Sequence, residues 1–323
     1  MKIAITWDYE LFFGEQSGSV SKCMLEPTDR ILSLATKYDI PFTFFPDVGC
    51  LMKFEQQALF ENELKKIKDQ IIKWDAAGHE TGLHIHPHWE KSVWNGLNWN
   101  HDLSYYKLAD FSTQEAQHIV EKYATYLSSI VQKPIKSYRA GGWCVQPFEQ
   151  IAPMMQKLGI EFDSSVFKGG KNTTAPYHYD FSNAPRSPFW KFSNDIMSPD
   201  SSGAFTEIPI SSMVYSPLFF WKLFILGRLF PSLHKSIGNG FPAKGGGSKK
   251  DLLTRPHLLC VSADGYFSTK LNRALMKSQH LDDSFLVIIG HPKALTEFGL
   301  KTLERFIAKH HQSHQFVNLS SIL

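Results

Sequence analysis

Three histidines alternate in His84-Ile85-His86-Pro87-His88. On an extended strand every second side chain faces the same way, so the three imidazoles can line one face. Imidazoles this close are costly to bury unless they bind something, and neutral imidazole is the commonest transition-metal ligand. A metal also needs balancing negative charge. Asp8 and Glu10, two apart in Thr6-Trp7-Asp8-Tyr9-Glu10, can share a face in the same manner. Alone, two such acids read as a solvated strand end. Beside a histidine cluster they read as one metal ligand and one general base, with pKa values pushed apart by their surroundings. Arg139 stands where a strand meets Gly141-Gly142, and its guanidinium can hold a carboxylate through two parallel bonds. His291, in Ile289-Gly290-His291-Pro292-Lys293, follows a buried-looking strand and is a candidate general acid.

Short apolar runs alternate with helical patterns along the chain. Strands are expected at Ile3–Trp7, Pro41–Phe45, Thr81–His88, Lys136–Ala140, Ile160–Val166, Phe205–Ile210, Leu258–Ala263, Phe285–Ile289 and Phe316–Leu319. Helices are expected at Pro27–Tyr38, Glu55–Ala77, from the Ser112/Glu115 capping box to about Ile130, at Pro147–Leu158 and at Leu295–His310. This order predicts a parallel sheet or (β/α) barrel, in which chemistry sits at the C-terminal ends of the strands. Asp8, the His84 cluster, Arg139, Asp163 and His291 all fall at such ends. Long interruptions near 89–111, 167–204 and 211–256 are expected to be functional insertions in a single catalytic domain spanning 1–323. The last contains Gly245-Gly246-Gly247, read as a flexible turn.

Several of these stretches resemble the polysaccharide deacetylases, the chitooligosaccharide deacetylase homology or carbohydrate esterase family 4-like group. Thr6-Trp7-Asp8-Tyr9-Glu10 resembles its first motif, and Gly78-His79-Glu80-Thr81-Gly82-Leu83-His84-Ile85-His86-Pro87-His88 its second. Tyr138-Arg139-Ala140-Gly141-Gly142-Trp143 resembles the third, Phe162-Asp163-Ser164-Ser165-Val166 the fourth and Ile289-Gly290-His291 the fifth. The motifs follow the family's order over nearly the whole chain, and the second is the most specific. The resemblance implies a distorted barrel of the seven-stranded type. It also implies Asp8 as base, Glu10, His84 and His88 as ligands of one divalent metal, zinc first, and Arg139 as the group orienting the base. His291 is then the acid, oriented by Asp163. Trp89 and Trp143 are the aromatics expected against the sugar. The chain departs from the pattern at Glu10, where Asp is usual, at Ala140, and in carrying the additional His86.

The implied reaction is hydrolysis of an N-acyl group, acetyl first, from an amino sugar in a polymeric, lipid-linked or nucleotide-linked precursor of a surface polysaccharide or glycolipid. Two other readings stand beside it. One is an amidohydrolase-like enzyme that uses His84 and His86 as a His-x-His metal pair. The other is a degenerate barrel that binds glycan without turnover. A net charge of +3 makes no case for nucleic acid. The four cysteines include no Cys-x-x-Cys pair, which argues against a thiolate metal site or redox motif. The N-terminal apolar run is too short for a signal peptide, so a cytoplasmic protein is expected, peripheral at the inner face of the membrane. Residues 218–230, aromatic and aliphatic bulk interrupted by Lys222 and Arg228, read first as a buried helix or a subunit contact; peripheral contact would run through the same residues, with Lys235, Lys244, Lys249 and Lys250 beyond.

Overall fold

The computed structural model describes residues 1–243, 248–280 and 285–323. In chain order its main strands are β1 (Lys2–Tyr9), β2 (Thr43–Pro46), β3 (Glu80–Thr81), β4 (Leu83–Ile85), β5 (Ser137–Ala140) and β6 (Phe162–Asp163). Then follow β7 (Trp190–Phe192), β8 (Phe205–Glu207), β9 (Ser212–Tyr215), β10 (His257–Cys260), β11 (Phe285–Gly290) and β12 (Gln315–Phe316). Helices α1 (Glu26–Tyr38), α2 (Val48–Glu55), α3 (Glu61–Ala76), α4 (Thr113–Ser128) and α5 (Ala152–Lys157) connect the first half. Helices α6 (Pro217–Leu229), α7 (Leu271–His280) and α8 (Glu297–His310) belong to the second.

β1 and β11 read as unbroken apolar runs because both their faces are covered: every residue from Ile3 to Tyr9 and from Phe285 to Gly290 is buried. They pair in parallel, with β2 on the other side of β1 and β3 beyond it. A second sheet runs β7-β8-β6-β5-β4, parallel except where β7 meets β8. The strand from Glu80 to Ile85 breaks at Gly82, so that β3 belongs to the first sheet and β4 to the second. On the far side Ser211 N–H donates to Val287 O (3.1 Å), Val261 N–H to Ser211 O (2.7 Å) and Ala263 N–H to Ile289 O (2.8 Å). The two sheets thus curl toward each other as a distorted (β/α) barrel. Isolated bonds, not one continuous ladder, span the gap.

The differences from the expected elements have local causes. The helix expected over Glu55–Ala77 begins only at Glu61 (α3), after a 3₁₀ turn over Ala58–Phe60, and a separate helix, α2, ends at Glu55. The apolar stripe of α2 (Leu51, Phe54) is out of register with that of α3 (Leu64, Ile67, Ile71, Trp74), and Phe54 stacks on Phe60 across the break at 4.4 Å. The strand expected over Thr81–His88 stops at Ile85. Pro87 has no N–H to give a ladder, and a 3₁₀ turn over Pro87–Lys91 follows. The Ser112/Glu115 capping box of α4 forms as expected, with Glu115 N–H donating to Ser112 Oγ and Ser112 N–H to Glu115 Oε2. The insertion at 211–256 hangs from the antiparallel pair β9/β10 and carries α6 and two short helices, Pro231–His234 and Lys249–Thr254. The triple-glycine turn and Lys244 lie outside the described residues. No helix among the described residues is long and apolar enough to cross a membrane.

Candidate active site

The C-terminal ends of β1, β4, β5 and β11 converge on a cleft of about 160 Å³, lined among others by Asp8, Glu10, His84, His86, Trp143 and His291. β1 delivers both acids. Asp8 Oδ1 accepts from Arg139 Nη1 at 2.7 Å, and Arg139 is wholly buried. The guanidinium uses four of its five N–H groups: besides Asp8, Nη1 donates to Thr6 Oγ1 (2.9 Å), Nε to Ser164 O (2.9 Å) and Nη2 to Ser164 Oγ (3.2 Å), while the group lies over the Phe45 ring. Burial pushes the Asp8 carboxyl up, but Arg139, with His84 and His291, outweighs it and holds the group below the ordinary carboxylate range. Asp8 is therefore an ionised carboxylate fixed at one oxygen, with the other facing the cleft.

Glu10 stands among cations and imidazoles. Its Oε2 lies 3.3 Å from His84 Nε2 and 2.6 Å from His86 Nε2, and its Oε1 accepts from Lys293 Nζ at 2.8 Å. Burial again opposes ionisation, and Lys293 with the two histidines overrides it, leaving the Glu10 pKa well below normal. His84 Nδ1 lies 2.8 Å from Arg139 O. A carbonyl only accepts, so Nδ1 carries the hydrogen and Nε2 is turned to Glu10. This is the backbone-carbonyl arrangement by which proteins fix the tautomer of a metal-ligating histidine.

Ligand-capable atoms of Glu10, His84 and His86 lie within 4.8 Å of one another, all buried. Two observations fit a cation there. Among the described residues neither nitrogen of His86 has a partner of hydrogen-bond geometry, although the side chain is only 2% exposed. The 2.6 Å approach of its Nε2 to Glu10 lacks hydrogen-bond geometry, which we read as two lone-pair donors turned to a common centre. One carboxylate and two imidazoles, with the cleft open beside them, also match the three-ligand sets of catalytic zinc sites. Lys293 occupies the other oxygen of Glu10 and tempers its charge. Gly141 makes room for the cluster, since a Cβ there would meet His86 Nδ1 at 2.4 Å. At Gly142 the backbone turns left-handed (φ 58°), and Trp143 follows in the same region (φ 62°), a conformation costly for a bulky residue.

His88, implied as a ligand by the resemblance, is not part of this cluster. The turn at Pro87 takes it off the strand face into an apolar wall, where its ring centroid is 4.7 Å from Phe13 and 5.5 Å from a parallel Tyr106. Both its nitrogens are buried without a hydrogen-bond partner among the described residues. Burial, helped by His86 and His101, depresses its pKa well below the usual value, so it is a neutral ring. Trp89 is likewise withdrawn from any substrate: it is fully buried, packs on Trp99, and donates from Nε1 to Asp47 Oδ2 at 2.5 Å. Trp143 does line the cleft.

His291 is held by Asp264, not by Asp163. Asp264 Oδ1 accepts from the His291 backbone N–H at 2.7 Å, and its Oδ2 from His291 Nδ1 at 2.7 Å. Burial would lower the His291 pKa, but Asp264, with Asp8 and Glu10, raises it to about 9. The free Nε2 faces Asp8 Oδ2 at 3.7 Å and Glu10 Oε1 at 3.9 Å. Asp163 instead accepts from Ser165 N–H (2.7 Å) and Ser165 Oγ (3.1 Å) at the end of β6, and Ser165 Oγ in turn accepts from Ala140 N–H (2.9 Å). It ties β6 to β5 beneath Arg139. Asp264 and Lys293 were missed from the sequence. Each had a signal: Asp264 directly follows the expected strand Leu258–Ala263, and Lys293 lies two residues beyond His291.

No protein-family profile matches the sequence, and no curated protein matches it. Among solved structures, the chain is similar to a protein from Mycobacterium smegmatis assigned as a polysaccharide deacetylase. The TM-score is 0.53 at 14% identity, covering 99% of this chain and 88% of that one. It is also similar to a 4-alpha-glucanotransferase from Thermococcus litoralis, with a TM-score of 0.50 at 10% identity over all of this chain and 40% of that one. These likenesses define the fold class, a (β/α)-barrel architecture. Within that class, the chain is polysaccharide-deacetylase-like in fold. Because one neighbour is a glycosyl-transferring enzyme, the reaction has to be argued from the site.

Proposed function

We propose that the chain is a metal-dependent hydrolase that removes an N-acyl group, acetyl first, from an amino sugar in a surface-polysaccharide or glycolipid precursor. The observation that carries this reading is the pairing of opposites across the cleft. An ionised carboxylate fixed by Arg139 and an imidazole raised by Asp264 face each other at 3.7 Å, beside the Glu10/His84/His86 cluster.

Those three residues would hold a divalent ion, zinc by the chemistry of the donor set. Such an ion supplies Lewis acidity toward an acyl oxygen and acidifies a neighbouring water. The chain's own residues supply the proton traffic. Asp8, aligned by Arg139, accepts a proton from water as its oxygen adds to the acyl carbon. His291, protonated at neutral pH, faces the same space and gives its proton to the nitrogen as the C–N bond breaks. The products are a free amine and a carboxylic acid. At about 160 Å³ the cleft is smaller than the ~300–1,000 Å³ of sites that engulf a whole ligand, so it admits an acyl group and the edge of one sugar, with Trp143 available to a ring face.

Release of acetate from N-acetylated amino-sugar oligomers and glycolipids tests the proposal. Wild type should turn over, and Asp8→Asn should bind the same substrates with turnover lower by about 10²–10⁴-fold. Near-wild-type rates in Asp8→Asn would remove Asp8 as the base. Binding without turnover by wild type would favour the degenerate glycan-binding barrel. The convergence of His84 with His86 favours the His-x-His pair of the amidohydrolase-like reading. The pair, however, follows the third stretch of the barrel and not its first strand. Turnover of cyclic amides with none of N-acetyl sugars would support that reading.

A further inference from the structure

α6 is apolar on both sides. Phe219 and Phe220 are buried against the core. The opposite face carries Leu218, Trp221, Ile225 and Leu229, at helical spacings of three, four and four, and these are 48–66% exposed. Phe230 and Phe241 are exposed as well, at 50% and 58%. Contiguous apolar patches of this kind are uncommon on monomeric soluble proteins and mark contact surfaces.

Charge identifies what the surface fits. Lys222 and Arg228 lie on the helix, Lys235 just beyond it, and Lys249 and Lys250 on the short helix that packs beside it; Asp251 is the only acidic residue in 211–256. Asp251 is already engaged by Arg255 (3.6 Å) and His257 (3.4 Å). Among the described residues none of these five cations has a carboxylate within salt-bridge distance. The whole chain carries only +3, so this segment is distinctly basic relative to the rest. Leucine, isoleucine, tryptophan and phenylalanine bordered by lysine and arginine match the interior, interface and headgroup layers of an anionic bilayer. At 13 residues α6 is too short to span a bilayer, and it lies across the surface of the protein.

We propose that the exposed face of α6 docks this protein on an anionic lipid bilayer, with Leu218, Trp221, Ile225 and Leu229 entering the acyl boundary and the surrounding cations meeting lipid phosphates. The surface bears on the active site. A groove of about 500 Å³ between α6 and the barrel includes Phe224 and Arg228 at one side and Asp264, the residue that holds His291, at the other. Phe12 lines both this groove and the catalytic cleft.

Co-sedimentation with vesicles of phosphatidylcholine alone, and with about one third phosphatidylglycerol, tests the docking independently of any hydrolytic activity. Wild type should bind the anionic vesicles, weaken as salt rises, and bind neutral vesicles poorly. Leu218→Glu with Leu229→Glu alters the two most exposed positions of the stripe, and circular dichroism checks that the variant is folded. It should lose about tenfold or more in partitioning. Lys222→Glu with Arg228→Glu should abolish the preference for anionic lipid. No binding by folded wild type, equal binding by wild type and both variants, or a wild-type dimer in gel filtration that the leucine variant converts to monomer would each overturn the proposal.

Discussion

Asp264 shows how one carboxylate sets the use of an imidazole. It accepts from both the main chain and the ring of His291, and it raises the ring's pKa to about 9 together with Asp8 and Glu10. A general acid must carry its proton, so activity should fall as pH rises through that value. In Asp264→Asn the ring loses its closest counter-charge, and the alkaline limb of the kcat profile should move to lower pH. A purely structural role for Asp264 would lower activity at all pH values without moving the limb. His291→Ala should reduce turnover by about 10²–10⁴-fold on amides with poor leaving groups, and much less on an activated substrate whose leaving group needs no proton. Equal losses on both would remove His291 as the acid. At this scale Asp8 and His291 were legible because each follows an apolar run that reads as a buried strand, and His84 and Arg139 through the motifs that resemble those of the deacetylases. Which histidine joins His84 was not legible. Alternation treats His84, His86 and His88 alike, and only the turn that Pro87 starts separates the last of them.

The junction between α3 and β3 offers a test at the scale of elements. There His79 is buried, and its Nδ1 accepts from the Phe42 N–H at 3.0 Å, so the ring must stay neutral. Burial, with a contribution from Lys133, lowers its pKa from 6.5 to about 4. A depressed folded-state pKa contributes stability that is complete above the unfolded value and lost as pH falls from about 6.5 toward about 4. The full shift corresponds to at most about 3 kcal/mol. Denaturant melts of wild type should therefore steepen in that window. His79→Asn, whose side-chain oxygen can accept the same bond, should flatten the slope there while changing stability little at pH 8. An unchanged pH slope in His79→Asn would show that other groups govern acid unfolding. The elements were read well where one period ran uninterrupted, as in β1, β11, α1 and α4. They were read poorly where two stripes abut, as at α2 and α3, or where a strand bends between sheets, as at β3 and β4. The insertions read as loops outside the apolar run 218–230, which forms α6, yet β9 and the turn holding Trp89 are built from tertiary contacts that no local period announces.

For the whole molecule, the barrel brings Asp8, His84 and His291 from distant stretches into one cleft, with Arg139 buried behind Asp8, and the insertions add Tyr106, Tyr177 and the edge near Pro242. The same architecture serves a glucanotransferase as well as a protein assigned as a deacetylase, so the reaction depends on what the Glu10 cluster holds. The most direct test is metal content by elemental analysis of protein purified with and without added zinc. Wild type should carry about one divalent ion per chain, and so should His88→Phe, which keeps the ring that packs on Tyr106 and Phe13. His84→Ala and His86→Ala should carry none while remaining folded. A wild type without metal after zinc loading would contradict the proposed centre. Retention in His86→Ala with loss in His88→Phe would show that the ligands are His84 and His88 and that the cluster formed by His86 is not the metal site.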